Sequence, residues 1–147
     1  MKNKKILAVA SQGGHLIQLL RLKPVLDRFD TSYVSNQYRE GMGKDFSLVT
    51  DANGDEKLKL ILLFLQMSWL IITKRPDVVI SSGAAPGFFA VMLGKLIGAK
   101  TIWLDSIANA EELSLSGKKA GTFADLWLTQ WPNLASPAGP KYQGRVL

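Results

Sequence analysis

The sequence has no cysteine, which excludes thiol catalysis, zinc-thiolate centres and a disulfide framework, and is compatible with a reducing compartment. Its glycine-rich stretches lack the third glycine of G-x-G-x-x-G, which disfavours a nicotinamide or flavin cofactor. They also lack the Gly-Lys-Ser/Thr of a phosphate loop, so nucleoside triphosphate hydrolysis has no support. Apolar residues 6–10 follow the basic start Met1 to Lys5, but the run is short and meets Ser11, Gln12, Gly13, Gly14 and His15. It therefore reads as a first strand, with no secretory signal. The longest apolar run, residues 58–72, has twelve of fifteen positions as Leu, Ile, Phe, Met or Trp. As a helix it spans roughly 22 Å, short of the roughly 30 Å hydrocarbon core that a clean membrane crossing requires.

The 147 residues suffice for one domain with a sizeable core and leave no room for a second. The formal charge of +6 comes from short clusters, Lys2 to Lys5, Lys74-Arg75 and Lys118-Lys119. Such clusters suit an acidic partner, whether anionic lipid, a phosphorylated substrate or nucleic acid, or they simply keep the surface solvated.

Strand-length apolar runs at 5–10, 32–35, 46–50, 77–81, 101–104 and 126–129 alternate with helical stretches at 14–29, 56–74, 86–97 and 108–123. This alternation predicts an α/β fold, a doubly wound parallel sheet of five or six strands with helices on both faces. Pro24 should kink or split the first helix. Pro86 suits the first position of the third and Gly98 its C-terminal cap, and Asn109 with Glu112 forms a capping pair for the fourth. From Trp131 onward Pro132, Pro137, Gly139, Pro140 and Gly144 break every period, so 131–147 reads as an irregular tail ending in an extended piece, 144–147.

In open parallel sheets ligands bind beyond the carboxyl ends of the strands. Gly13 and Gly14 follow the first strand and open a helix, where free amide donors meet an anion. His15, the only histidine, either takes a proton from an attacking hydroxyl or merely caps the turn. Ser82 and Gly83 follow the fourth strand in a loop that either wraps a diphosphate or packs tightly. Asp105 ends the fifth strand and either orients His15 or caps the next helix. The 58–72 helix is either core or an interfacial element. In the second case Leu63, Phe64 and Trp69 would touch a bilayer while its basic ends meet headgroups.

Gly13-Gly14-His15 with Leu16 and Leu20, the run from Pro76 to Gly83, Trp103-Leu104-Asp105-Ser106, the run from Leu113 to Lys118, Ala124-Asp125 and Gln130-Trp131-Pro132 together carry a family resemblance over nearly the whole chain. It resembles the membrane-anchor subunit of the eukaryotic two-subunit UDP-N-acetylglucosamine transferase, and more closely its bacterial PssD-type counterparts of capsular and exopolysaccharide synthesis. More distantly it is similar to the N-terminal domain of MurG-type enzymes, whose two Rossmann-like domains form the GT-B fold.

The resemblance implies half of a GT-B glycosyltransferase, inactive without a donor-binding, PssE-like partner that holds the UDP-sugar. The acceptor would be a sugar on a polyprenyl diphosphate, and neither cofactor, metal nor nucleic acid is implied. His15 matches the Gly-Gly-His histidine and takes the role of general base. Asp105 stands where relatives often have glutamate. Gly13, Gly14, Ser82 and Gly83 would hold the acceptor diphosphate. The eukaryotic subunit begins with a membrane-spanning helix that has no counterpart in this sequence, so attachment falls to the 58–72 helix and the basic clusters. The expected location is cytoplasmic, peripheral on the inner face of the plasma membrane. The rival readings are a non-catalytic recruiter of the partner and a free-standing nucleotide-binding protein.

Overall fold

The structure, a computed structural model, describes residues 3–40 and 42–146; Lys2 of the N-terminal cluster and Leu147 of the expected extended piece lie outside them. Strands β1 (Lys5–Val9), β2 (Asp30–Ser35), β3 (Phe46–Leu48), β4 (Val78–Ser81), β5 (Lys100–Leu104), β6 (Leu126–Thr129) and β7 (Lys141–Tyr142) form one sheet in the order β3-β2-β1-β4-β5-β6-β7. Every neighbouring pair is parallel. The fold is a Rossmann-like doubly wound sheet, and the order reverses between β1 and β4, the switch point at whose carboxyl ends open parallel sheets bind ligands.

Successive side chains of β1 alternate between two cores. Leu7 and Val9 point to the face covered by α3 (Lys57–Lys74), α4 (Ala84–Leu96) and α5 (Leu115–Ala120). Ile6 and Ala8 point to the face covered by α1 (Gly14–Arg21) and α2 (Lys23–Leu26), where Leu16, Leu19 and Leu26 are buried. Burial on both sides is why these strands read as continuous apolar runs. Helix α4 lies close on β4, since a Cβ on Gly94 would come within 2.7 Å of Val79 Cγ2 and one on Gly87 within 2.8 Å of Ser81 Cβ. Larger residues there would lift the helix off the sheet.

The first helix divides at Leu22, with Pro24 in the first turn of α2 where its missing N–H costs no helical bond. Gly98 closes α4 with φ 86; its N–H donates to Lys95 O and that of Ala99 to Gly94 O, the paired bonds of a Schellman cap.

Three expectations are corrected. Helix α4 begins at Ala84, so Pro86 is its third residue, still within the first turn, where an N–H has no helical partner. The fourth helix is only Leu115–Ala120. Its cap is Ser114, whose hydroxyl accepts from Gly117 N at 2.9 Å, and Asn109 and Glu112 lie in a loop before it. The tail is not irregular throughout. It contains a 3-10 turn, Pro132–Leu134, and β7 at Lys141–Tyr142, which gives the sheet seven strands where five or six were expected.

Asp125, just before β6, ties β5 to α4. Its carboxylate accepts from Lys95 Nζ and from the Thr101 amide at 2.9 Å. The Lys95 bond first, then the Thr101 amide, hold its pKa below the ordinary 3.8. A depressed folded pKa adds stability above the unfolded value and loses it as pH falls through the folded one. Asp125→Asn should therefore be less stable than wild type at neutral pH, with the gap closing below about pH 4 in urea melts.

Candidate functional site

Strands β1 and β4 run in register from Ile6 beside Val78 to Val9 beside Ser81, so the loops that follow them meet. The His15 side chain is held in this junction. Its Nδ1 lies 3.0 Å from Ser82 O, and Ser82 Oγ donates back to His15 O at 2.6 Å. A carbonyl only accepts, so Nδ1 carries a proton here, and Nε2 is the nitrogen left to exchange one with a ligand.

Gly83 is required by the same contact. It has φ 140, and a Cβ on it would sit 2.6 Å from His15 Cε1. Ala84 follows at φ 67, a left-handed conformation that an L side chain adopts only at a cost of about 1–2 kcal/mol. The Gly83 amide is tied to Ser81 Oγ at 3.1 Å. Gly13, at φ 82, turns the chain from β1 into α1, and it and Gly14 are exposed with open space where a Cβ would lie.

The N-termini of α1 and α4 thus face the crevice side by side. Neither has a side-chain cap or an acidic residue in its first turn. Their leading amides lack helical partners, and the helix dipoles add partial positive charge, so the pair favours an anion such as a diphosphate. Helix α5, by contrast, is capped by Ser114.

Asp105 is 1% exposed, and its carboxylate is engaged elsewhere. It accepts from Ser114 Oγ at 2.6 Å, Ser114 N at 3.0 Å and Trp103 Nε1 at 3.1 Å. Among the described residues no hydrogen bond joins it to His15. The reason is local. The chain turns back after β5, and Ser114, placed to cap α5, takes both carboxylate oxygens.

A buried polar cluster that the sequence reading missed fixes the neighbouring loop. Gln18 Nε2 donates to Ser106 Oγ at 3.2 Å, and Gln18 Oε1 accepts from Ile107 N at 3.1 Å and from Gln130 Nε2 at 2.6 Å. Gln130 Oε1 takes the Val146 amide at 2.8 Å, so the tail is latched to the same cluster. The Arg145 guanidinium stacks on Trp131, 4.3 Å from its ring centre. A glutamine on the apolar face of α1, between Leu16 and Leu19, was the one available signal.

Helix α3 is part of the core on one side and exposed on the other. Leu63, Met67 and Ile71 face the core, while Leu58, Ile61, Leu62, Leu65, Trp69 and Ile72 form an exposed stripe on the opposite side. Leu63 is 0% exposed, so its assignment to bilayer contact is corrected: it points at the sheet. Phe64 is half-buried, with its ring edge-on to Phe89 at 5.6 Å, and Trp69 is 69% exposed. No helix among the described residues is long and apolar enough to cross a membrane. Leu63→Ala should therefore cost about 2–5 kcal/mol in denaturant melts, and Trp69→Ser less than about 0.5 kcal/mol.

The fold aligns with Acinetobacter baumannii MurG at a TM-score of 0.76 and 15% identity, covering 98% of this chain and 46% of that one. It also aligns with Neisseria meningitidis UDP-GlcNAc 2-epimerase bound to UDP-GlcNAc, at a TM-score of 0.64 and 10% identity over 88% of this chain and 41% of the other. The chain thus spans less than half of each of these structures, and the likeness is one of fold. In sequence it is 28% identical to the Schizosaccharomyces pombe UDP-N-acetylglucosamine transferase subunit alg14 over 90% of this chain and 78% of that protein. It is 33% identical to the mouse subunit ALG14 over 53% of this chain and 39% of that one. The family profile described as "Oligosaccharide biosynthesis protein Alg14 like" matches residues 49–146. This chain, with its paired glycine loops around His15, belongs to the Alg14-like family of oligosaccharide biosynthesis proteins.

Proposed function

We propose that this chain is the acceptor-side half of a two-chain, UDP-sugar-dependent glycosyltransferase, of the PssD type that serves capsular and exopolysaccharide synthesis. One observation carries the reading: two uncapped helix N-termini flank a tautomer-fixed histidine at the switch point of a single Rossmann-like unit. The similar MurG structure is more than twice as long. A PssE-like partner supplies the missing wall and the UDP-sugar. N-acetylglucosamine is the first donor to test, because the relatives are named for it.

In this scheme the loops Gly13-Gly14 and Ser82-Gly83 receive the acceptor's polyprenyl diphosphate, with the free amides at the starts of α1 and α4 as donors and the Gly83 amide kept on Ser81 Oγ. Nε2 of His15 accepts the proton of the attacking hydroxyl as its oxygen bonds to the anomeric carbon and that carbon's bond to UDP breaks. No metal or other cofactor enters the scheme. Asp105 shapes the loop wall instead of pairing with His15. The exposed stripe of α3 rests on the cytoplasmic face of the membrane, where the lipid-linked acceptor lies.

A recruiter without catalytic groups is the second reading, favoured by one fact, that no carboxylate bonds His15 among the described residues. Amide NMR titration of the isolated chain with a short-chain polyprenyl diphosphate and with UDP-N-acetylglucosamine tests the division of labour. The diphosphate should shift Gly13, Gly14 and the start of α4. Saturable UDP-sugar binding to the lone chain would instead make it a self-sufficient nucleotide-binding protein.

A further inference from the structure

At the end of the sheet opposite the crevice lies a cavity of ≈ 610 Å³ between the C-terminal ends of α3 and α4. Its apolar wall is formed by Ile71, Ile72 and Ile97, and its rim carries Lys4, Arg75 and Lys100 against one carboxylate, Asp77. Asp77 is itself engaged, accepting from the Lys5 amide at 2.9 Å. Among the described residues Lys4, Arg75 and Lys100 have no ion-pair partner, whereas Lys74 beside them pairs with Asp45. The partial negative charge at the C-terminal ends of α3 and α4 is complemented by these cations, but the ends need no side-chain hydrogen bond from them. The Arg75 amide already closes α3 on Ile71 O, and Gly98 and Ala99 close α4.

Arg75 also holds a conformation that glycine would adopt freely, φ 46 and ψ 60 at the cap of α3. Arginine at this position puts a long cationic side chain on the rim at the cost of a left-handed backbone. Ile72 belongs both to this cavity and to the exposed stripe of α3, so the two surfaces are continuous.

We propose that this cavity binds the headgroup of an anionic phospholipid: the phosphodiester sits among Lys4, Arg75 and Lys100, and the glycerol end packs on Ile72 and Ile97. The proposal rests on the membrane-facing reading of α3. It adds to that reading a lipid preference set at a defined site instead of by net charge.

Flotation with vesicles of phosphatidylcholine, with and without phosphatidylglycerol, provides the test. Wild type should bind the phosphatidylglycerol vesicles roughly tenfold or more tightly. R75G/K100Q should lose that preference while still binding phosphatidylcholine, and R75G alone should melt at a higher temperature than wild type, so that lost binding is not lost folding. K57Q/K59Q removes the same charge from the other end of α3 and should keep most of the preference. Retention of the preference by R75G/K100Q, or its equal loss in K57Q/K59Q, would overturn the headgroup site. The reading of α3 is separable. L65S/W69S should abolish binding to both vesicles, and if it does not, that reading falls. In that event monomeric dihexanoyl phosphatidylglycerol shifting the Gly98 and Ala99 amides of wild type but not of R75G/K100Q would still support the cavity, and no shift would remove it.

Discussion

Replacing His15 by alanine is expected to lower turnover of the reconstituted two-chain enzyme about 10²–10⁴-fold, the range of a lost general base. The KM for the lipid acceptor should change little, because the diphosphate is held by backbone amides. The expectation follows from the tautomer. With Nδ1–H committed to Ser82 O at 3.0 Å, Nε2 is the nitrogen able to accept a proton. The imidazole is half-buried and outside the main core clusters, so its removal leaves the sheet intact. Radiolabelled sugar transfer to a lipid acceptor measures the effect. Full activity in the variant would leave His15 as a structural link between two loops and favour the recruiter reading.

The second large effect comes from a single methyl group. Gly83→Ala should both destabilise the fold by about 1–3 kcal/mol and reduce turnover nearly as far as His15→Ala. Its Cβ would meet the imidazole at 2.6 Å from Cε1, on a backbone at φ 140 that alanine avoids. The imidazole must then swing away and give up the Ser82 O bond that fixes its tautomer. Gly14→Ala provides the contrast, since a Cβ there meets nothing within 4 Å. That variant should fold normally and lose only what the new methyl takes from ligand approach. Thermal melts alongside turnover separate the two, and a fully active, stable Gly83→Ala would show that the loop contact is dispensable.

Local patterns in the sequence reached the central strands and the two crevice loops because each is bounded by its own chemistry. Strand β6 begins and ends where its apolar run does, and β1, β4 and β5 differ from expectation by one residue at an end. Glycine and small hydroxyl residues after β1 and β4 gave the crevice, since an open parallel sheet leaves few other places for them. What stayed hidden depends on partners distant in the chain. Residues 106–113 have helix-like composition, yet they are held as a loop by Gln18, 88 and 89 positions away, and by Trp131 Nε1 on Ile107 O at 2.7 Å. Strand β7 has only Lys141 and Tyr142, too short for any periodicity, and the tail beyond it is fixed by Gln130. Asp105 looked able to serve either His15 or a helix cap, and nothing local told them apart until Ser114 came within 2.6 Å. In α3 the apolar residues cover every side, so the pattern had no direction, and only packing shows Leu63 inside and Trp69 outside.

In the proposed scheme this chain forms one wall of the cleft between β1 and β4, and a companion forms the other. The most direct measurement is glycosidic bond formation from UDP-N-acetylglucosamine and a polyprenyl-diphosphate-linked acceptor, by this chain alone and with its donor-binding companion added. The account predicts no turnover above background for the lone chain and full turnover for the pair. Steady synthesis by the lone chain at the rate of the pair would contradict it.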